Sequence, residues 1–446
     1  MFLSGGNPLG KKPEQPAQRG TPVFLQARHF SGKRNDKNCE KKSIYQYLYM
    51  IYFIYYNMAI DLTSILQKIG LSPDFFTSLF RKEKSVLGVD IGSSFIKVVQ
   101  LRKKSGRAVL ETYGELALGP LAGMEVGRMT NLESDKLAEA LSEILSEANV
   151  TTKSAGFSIP LAASLVSFVE MPLLPDKQLA EMIPIEARKY IPVPIGEVTL
   201  DWWIVPKTEV IEEERSEFKE NSDSSKDKEP QKVDVLIAAI HNATLEKYNQ
   251  VIKKVALDVN FFEIEAFSTI RSTFSREMAP VMIFDMGAGM TKLSIVEKGV
   301  VQSIHIVSRG SQEITLNMAS SLGISIGKAE AMKREMGLLG ITEDGKAVSE
   351  IARANLDYVF SEANRVLLNY ERKRNKTVGK VILTGGGVLL KGFLPEAAKN
   401  LESQVMLGDP FAKVEAPAFL IDVLKDAGPE FAVAIGVALR KLQEMD

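Results

Sequence analysis

One short pattern occurs twice in this chain and constrains its fold more than any other feature. Residues 90–97 read DIGSSFIK and residues 285–292 read DMGAGMTK, so aspartate, glycine and lysine recur in the same places 195 residues apart. Each copy follows a run of β-forming residues and leads into another, which predicts a β-hairpin with a tight turn. The repeat therefore predicts two α/β halves that open with equivalent hairpins.

The residues of this pattern suit the binding of phosphate groups. A carboxylate at the end of a buried strand can hold hydrated Mg²⁺, and small residues let the turn point backbone N–H groups at phosphate oxygens. One such turn alone is more often an ordinary hairpin, but two in equivalent places predict a clamp on a triphosphate. The candidate phosphate-binding residues are Asp90, Gly92, Ser93, Ser94 and Lys97, then Asp285, Gly287, Ala288 and Gly289, with Asp90 and Asp285 as candidate Mg²⁺ ligands through water.

A third glycine-rich loop follows a predicted strand in residues 381–392, VILTGGGVLLKG. A base or ribose can lie against the backbone of Gly385, Gly386 and Gly387, although a plain strand-to-helix turn has the same sequence. Residues 340–347, GITEDGKA, have the frame of a Walker A loop, but Ala347 lacks the hydroxyl that binds Mg²⁺ and no predicted strand leads into it. These residues are therefore predicted to form a loop between helices.

The two aspartate turns and the glycine loop together resemble the phosphate 1, phosphate 2 and adenosine motifs of the actin-like ATPase superfamily. The resemblance runs from about Ser85 to the end of the chain. It implies an α/β fold of two lobes, each a five-stranded mixed sheet flanked by helices, with ATP and Mg²⁺ in the cleft between them.

Three further residues take candidate roles from this resemblance. The sequence around Glu330 and Lys333 resembles the two helices that close over adenine in FtsA-like members. In those proteins the two residues that match Glu330 and Lys333 contact the ribose and base. From the residues alone, Glu330 and Lys333 are an ordinary surface ion pair. Glu265 ends a predicted strand where the superfamily carries a residue that positions the attacking water, so it is the candidate catalytic residue; the alternative is a cap on the helix predicted to begin near Ala266.

Within the superfamily, the chain resembles the PilM family of type IV pilus assembly proteins. Three segments carry this resemblance: GVDIGSSFIKVVQL from 88, EMIPIEARKYIPVPIGEVTLDWWIV from 181, and TGGGVLLKGF from 384. The resemblance implies a cytoplasmic scaffold of the type IV pilus platform, recruited to the inner face of the membrane by the N-terminal tail of a PilN-like protein. It also implies slow or no ATP hydrolysis and leaves a homo-oligomer open.

Other functions in the superfamily remain as alternatives. An FtsA-like filament protein of cell division would carry an amphipathic C-terminal helix behind a linker, and the residues after the last predicted helix contain none. A small-molecule kinase needs a general-base aspartate facing a substrate hydroxyl, and no motif beyond the ATP motifs marks one. A chaperone would need a substrate-binding domain after the ATP motifs.

The composition divides the chain into predicted parts. Residues 1–57 carry nine Lys and Arg against three Asp and Glu and show no helical or strand period, so we expect a non-native extension with translation starting at Met58. The Tyr-rich stretch 44–60 leaves a weak membrane anchor as the alternative. The other predicted parts are a lead-in helix in 58–84, a first-lobe subdomain in 85–152, an insertion subdomain in 153–265 with a mobile loop at 207–232 that returns to the first lobe, and a second lobe in 266–446 with a helical nucleotide-closing region at 311–374.

Charge and cysteine content exclude several classes of partner. A formal net charge of −1 provides no basic field for nucleic acid, and one cysteine with three scattered histidines predicts neither a disulfide nor a zinc site. We expect no direct insertion into the membrane. The resemblance to the PilM family implies that the PilN tail docks on the first lobe beside the insertion. Strand alternation predicts that one of Trp202 and Trp203 packs in the core of the insertion.

Overall fold

The computed structural model describes residues 84–205, 232–275 and 277–445. The expected extension lies outside these residues, as do the expected lead-in helix up to residue 83 and the expected mobile loop up to residue 231. In chain order the strands are β1 (Ser85–Ile91), β2 (Phe95–Lys104), β3 (Arg107–Ala117), β4 (Ser154–Ile159), β5 (Ser164–Pro172), β6 (Val198–Ile204), β7 (Lys232–His241), β8 (Asp258–Ile264), β9 (Val281–Met286), β10 (Thr291–Glu297), β11 (Val300–Val307), β12 (Lys380–Thr384) and β13 (Gln404–Leu407).

The α-helices that the described residues form are α1 (Ser134–Glu147), α2 (Asp176–Ala187), α3 (Asn242–Val255), α4 (Glu265–Thr273), α5 (Ser311–Leu322), α6 (Ile326–Met336), α7 (Glu343–Arg374), α8 (Phe393–Asn400), α9 (Ile421–Ala427) and α10 (Ala432–Gln443). None of them is long and apolar enough to cross a membrane.

Two five-stranded sheets with the same layout form the centres of two lobes. The strand order is β3-β2-β1-β4-β8 in the first and β11-β10-β9-β12-β13 in the second. In each, three antiparallel strands are followed by two parallel ones. The outer hairpins even turn alike, through Ser105-Gly106 and Lys298-Gly299, where all four residues have positive φ as a type I′ turn requires. The predicted two-lobed actin-like fold is confirmed.

Each sheet buries an apolar face beneath helices. In the first lobe, Leu141 and Ile144 of α1 pack with Phe157 of β4, and α3 adds Val251 and Ile252 to the same core. In the second lobe, helices α5 to α8 cover the sheet, and the aromatic rings of Phe284, Phe360 and Phe393 meet there. Such side chains stabilise the fold by about 1.5–3 kcal/mol each on burial.

The C-terminal part of the chain returns to the first lobe, which differs from the expected second lobe of 266–446. Helix α10 lies on the opposite face of the first sheet from α1, with Ile435 and Ala438 packed in the core there. A Cβ on Gly88 of β1 would lie 2.0 Å from the Ala434 carbonyl oxygen, so strand and helix touch through their backbones. Because α10 is apolar on nearly every side, its sequence does not reveal which sheet it covers.

A separate three-stranded sheet, in the order β5-β7-β6, forms the insertion with α2. Within residues 153–265, β4 and β8 pair in the first sheet, so the separate sheet of the insertion runs only from β5 to β7. Trp202 packs in the core beneath α2, as strand alternation predicted for one of the two tryptophans. Trp203 lies on the other face, 5.1 Å from the ring of Phe267 at the start of α4.

Helix α7 begins earlier than the sequence predicted. Thr342 caps it by accepting a hydrogen bond at Oγ1 from the Gly345 N–H, 3.0 Å away. The prediction of a loop over residues 340–347 is therefore wrong from Glu343 onward. Gly345 disfavours a helix, but the cap formed by Thr342 stabilises the start of this one. The Walker A frame consequently lies on a helix and cannot wrap a phosphate.

Candidate functional site

A cavity of about 710 Å³ separates the two lobes, within the usual range for small-molecule sites. Its lining includes every residue that the sequence nominated: Asp90, Gly92, Ser93, Ser94, Lys97, Glu265, Asp285, Gly287, Ala288, Gly289, Glu330, Lys333, Gly385, Gly386 and Gly387. Residues from both repeats and from the glycine loop thus line the same cavity, although they are far apart in the sequence.

The two repeated hairpins have the same backbone geometry. The N–H of Gly92 donates to the carbonyl of Phe95 at 2.9 Å, and the N–H of Gly287 donates to that of Met290 at 2.9 Å. In both hairpins the aspartate lies directly across from the lysine, so the two side chains share one face of the sheet. The cavity therefore lies between two equivalent turns, each with one carboxylate.

The surroundings of the two aspartates differ. Asp90 accepts a hydrogen bond from Ser158 Oγ at 2.7 Å. Burial, assisted by the negative charge of Glu265, raises the pKa of Asp90 to about 6. Asp285 instead forms an ion pair with Lys292, with 2.8 Å between Oδ2 and Nζ.

Glu265 links the second hairpin to the first lobe. Its Oε2 lies 2.7 Å from Lys292 Nζ, and its Oε1 accepts a hydrogen bond from the Leu161 N–H at 2.8 Å. The alternative role as a helix cap is wrong, because the N-cap of α4 is Ile264 and no side chain caps this end. Burial lowers the pKa of Lys292, but the charges of Asp285 and Glu265 outweigh that effect and raise it above its usual range.

The glycine loop lies directly against the second hairpin. Gly385 has φ +85, and a Cβ there would lie 2.5 Å from both Asp285 Oδ1 and the Met286 carbonyl oxygen. A Cβ on Gly387 would meet the Met286 side chain at 2.6 Å. Side chains are excluded at these positions, which keeps the loop backbone close to the carboxylate of Asp285.

Glu330 and Lys333 are buried, so the interpretation of this pair as an ordinary surface ion pair is wrong. Glu330 Oε2 lies 2.7 Å from Lys333 Nζ and accepts a hydrogen bond from Thr315 Oγ1 at 2.6 Å. Burial lowers the pKa of Lys333. A Cβ on Gly127 of the first lobe would lie 3.1 Å from Glu330 Oε1, so the lobes meet at this end of the cavity.

The cavity residues that sequence reasoning missed include the acidic residues Glu430 and Glu115 and the lysine Lys292. Glu430 lines the cavity beside Gly386, and burial raises its pKa to about 7. Glu115 lies across from Lys97 on β3 and also faces the cavity. Neither Glu430 nor Glu115 belongs to a sequence motif. Lys292 could have been predicted, because it occupies the same place in the second repeat as Lys97 does in the first.

The residues present fit a nucleotide with Mg²⁺ bound through water. Within the described part of the chain, no group of three or more His, Cys, Asp or Glu side chains could hold a metal ion by itself. Mg²⁺ commonly keeps several waters and binds one or two carboxylates together with substrate phosphates. One carboxylate from each hairpin and a cradle free of side chains at the glycine loop match that donor set.

Comparison with known proteins identifies the family. Residues 88–442 match the model of the type IV pilus assembly protein PilM. The chain belongs to the PilM family. Among solved structures, a chain of a PilM-PilN type IV pilus biogenesis complex superposes with a TM-score of 0.66 at 22% identity, covering 81% of this chain and 99% of that one. The resemblance to the PilM family is thus confirmed.

More distant relatives agree with the superfamily. FtsA from Enterococcus faecalis is 25% identical over 194 residues, which are 38% of this chain and 42% of that protein. FtsA from Rhizobium meliloti is 25% identical over 238 residues, 46% of this chain and 52% of that protein. The chain spans about half the length of these curated relatives.

Proposed function

We propose that this PilM-family protein is an ATP-binding scaffold of a type IV pilus assembly platform. A PilN-like membrane protein recruits it, through an N-terminal tail, to the cytoplasmic face of the inner membrane. The observation that carries the proposal is the family match over residues 88–442, which spans both lobes and the cleft. A structure of a PilM-PilN complex with the same fold supports the choice of partner.

The proposed nucleotide site uses the residues that line the cleft. The turns at Gly92 and Gly287 would present backbone N–H groups to the phosphates, and Asp90 and Asp285 would hold Mg²⁺ through water. When bound, Mg²⁺ neutralises charge on the phosphate oxygens. The backbone around Gly386 would support the base and ribose, and Glu330 with Lys333 would close over them.

The position of Glu265 supports slow or absent hydrolysis. Its two carboxylate oxygens are occupied by the Leu161 N–H and by Lys292 Nζ. A carboxylate that already accepts two strong hydrogen bonds has less capacity to orient an attacking water. The proposed role of ATP is therefore to fix the closed arrangement of the lobes, with Glu265 as the residue that would position water in any turnover that occurs.

The proposed docking site for the partner tail is the insertion and the adjoining first lobe. Strand β6 pairs on one side only, with β7, among the strands that the structure describes. An extended peptide adds to such an edge through main-chain hydrogen bonds and gains specificity from side-chain contacts. Trp203, which is 37% exposed, is the aromatic side chain of β6 that a bound peptide would reach.

The test is a titration of the cytoplasmic N-terminal peptide of a PilN-like protein from the same genome, with a scrambled peptide as the control. We expect saturable binding by the native peptide alone, with amide hydrogen-exchange protection in β6 and the neighbouring first lobe. No binding at any reachable concentration, or protection confined to the second lobe, would remove the scaffold function. ATP-dependent filaments without peptide binding would instead favour an FtsA-like role.

A further inference from the structure

The lysines of the two equivalent hairpins have different partners. Lys97 Nζ lies 3.8 Å from Glu115 Oε2, on a neighbouring strand of its own sheet. Lys292 Nζ lies 2.8 Å from Asp285 Oδ2 and 2.7 Å from Glu265 Oε2, and its side chain is 8% exposed. The repeat has thus diverged in the position of its cation, although its backbone geometry is preserved.

The ion pairs of Lys292 join parts of both lobes at the base of the cleft. Asp285 lies on β9 in the second sheet. Glu265 directly follows β8 of the first sheet, and it is tied to Leu161 just beyond β4 of that sheet. One ammonium group therefore connects the first lobe to the second through two short charge-assisted hydrogen bonds, which are the strong class.

The two charged groups in direct contact with this lysine are both carboxylates, whereas Lys97 lines the same cavity across the strand from Asp90. Asp90, Glu265 and Asp285 line the same cavity, and carboxylates that share a buried site repel one another. Lys292 offsets the charge of Glu265 and Asp285 by direct contact. Asp90 has Ser158 as its hydrogen-bond donor instead, so its carboxylate is the less neutralised of the two repeat aspartates.

We propose that Lys292 is a built-in cation of the cleft, which holds Glu265 and Asp285 together across the lobes and leaves Asp90 as the main carboxylate for Mg²⁺. Both aspartates were predicted to bind Mg²⁺ through water, and this proposal gives Asp90 the larger role. The part that concerns Mg²⁺ rests on the proposed nucleotide site, whereas the joining of the lobes does not. Lys292 is accordingly a positioning residue.

The first experiment measures thermal unfolding of the full-length protein without nucleotide. Lys292→Met keeps the length of the side chain but leaves two carboxylates unpaired, so we expect Tm to fall by at least about 5 °C. Millimolar Mg²⁺ should raise the Tm of this variant by about 3 °C and leave the wild-type value unchanged. Lys346→Met is the matched control, because Lys346 forms an exposed ion pair with Glu343, and it should shift Tm by less than about 2 °C.

A double variant tests the proposal even if Lys292→Met alone does not fold. Lys292→Met combined with Asp285→Asn leaves only the Glu265 carboxylate without its cation. This double variant should therefore unfold at a higher temperature than Lys292→Met alone. A double variant no more stable than the single one, or a Lys292→Met protein as stable as wild type, would overturn the role of Lys292 as an internal cation.

The second experiment separates the two aspartates by calorimetry of ATP binding with and without Mg²⁺. We expect Asp90→Asn to abolish the gain in ATP affinity that Mg²⁺ provides, and Asp285→Asn to retain most of it. Equal loss in both variants would overturn the unequal assignment. Absence of ATP binding in every protein, wild type included, would refute the proposed nucleotide site, while the nucleotide-free unfolding data would still decide the role of Lys292.

Discussion

Gly385→Ala tests the close contact between the glycine loop and the second hairpin. The backbone at this position has φ 85 and ψ 157, a region that is essentially restricted to glycine, so alanine costs about 1–3 kcal/mol there. The new Cβ would also lie 2.5 Å from Asp285 Oδ1 and from the Met286 carbonyl oxygen. Relieving that overlap adds about 1–3 kcal/mol. The sum, about 2–6 kcal/mol, is a large part of the typical total of about 5–15 kcal/mol.

Urea unfolding compares Gly385→Ala with Gly106→Ala, which also places alanine at a positive φ but without a contact. Gly106 has φ +80, but a Cβ there would have no atom within 4 Å, so its substitution costs only the backbone contribution of about 1–2 kcal/mol. We expect Gly385→Ala to lose at least about 1 kcal/mol more than Gly106→Ala. Equal losses would refute the inference that the loop is packed against the Asp285 carboxylate.

Three further predictions concern charged groups of the cleft and the insertion. Because burial raises the Glu430 pKa from 4.5 to about 7, the folded protein binds this proton more tightly than the unfolded chain, and stability falls as pH rises from about 4.5 to 7. Glu430→Gln should therefore be more stable than wild type at pH 8, by up to about 3 kcal/mol, and no more stable at pH 4; a constant difference in urea unfolding would contradict this. If the wild-type protein hydrolyses ATP at a measurable rate, the proposed role of Glu265 predicts that Glu265→Gln lowers that rate by about 10-fold or more, and an unchanged rate would contradict a role in positioning water. Arg374 contacts Asp234 of β7 at 2.9 Å, so Arg374→Met should change the free energy of unfolding by less than about 1 kcal/mol yet speed amide exchange in β7; unchanged exchange would show that this pair does not hold the insertion.

The fold and the candidate nucleotide-binding residues of the cavity were predictable because the signals were local. The turn, the aspartate and the lysine of each repeat lie within eight residues. The sequence alone therefore predicts a hairpin in which the aspartate and the lysine are cross-strand neighbours. Two such hairpins in register were enough to predict matching lobes, and the architecture confirmed them. The nucleotide roles of these residues stay predictions.

What sequence reasoning missed depends on long-range packing. Helix α10 is apolar nearly all round, so its periodicity could not show that it covers the first sheet. Glu430 becomes a cavity residue only because that helix returns across the cleft. Glu330 and Lys333 have the spacing of a surface pair, and only the approach of Gly127 and Thr315 reveals their burial.

The central claim is that the cleft between the aspartate hairpins binds ATP with Mg²⁺, and calorimetry of ATP binding tests it most directly. Wild-type protein in Mg²⁺ should bind ATP, and Asp90→Ala should weaken that binding by about 10-fold or more without unfolding the chain. Asp344→Ala is the control, since Asp344 lies in the Walker-like sequence on α7, away from the cavity lining, and it should bind ATP as wild type does. No heat of binding in the wild type, or equal affinity in the Asp90 variant, would contradict the account.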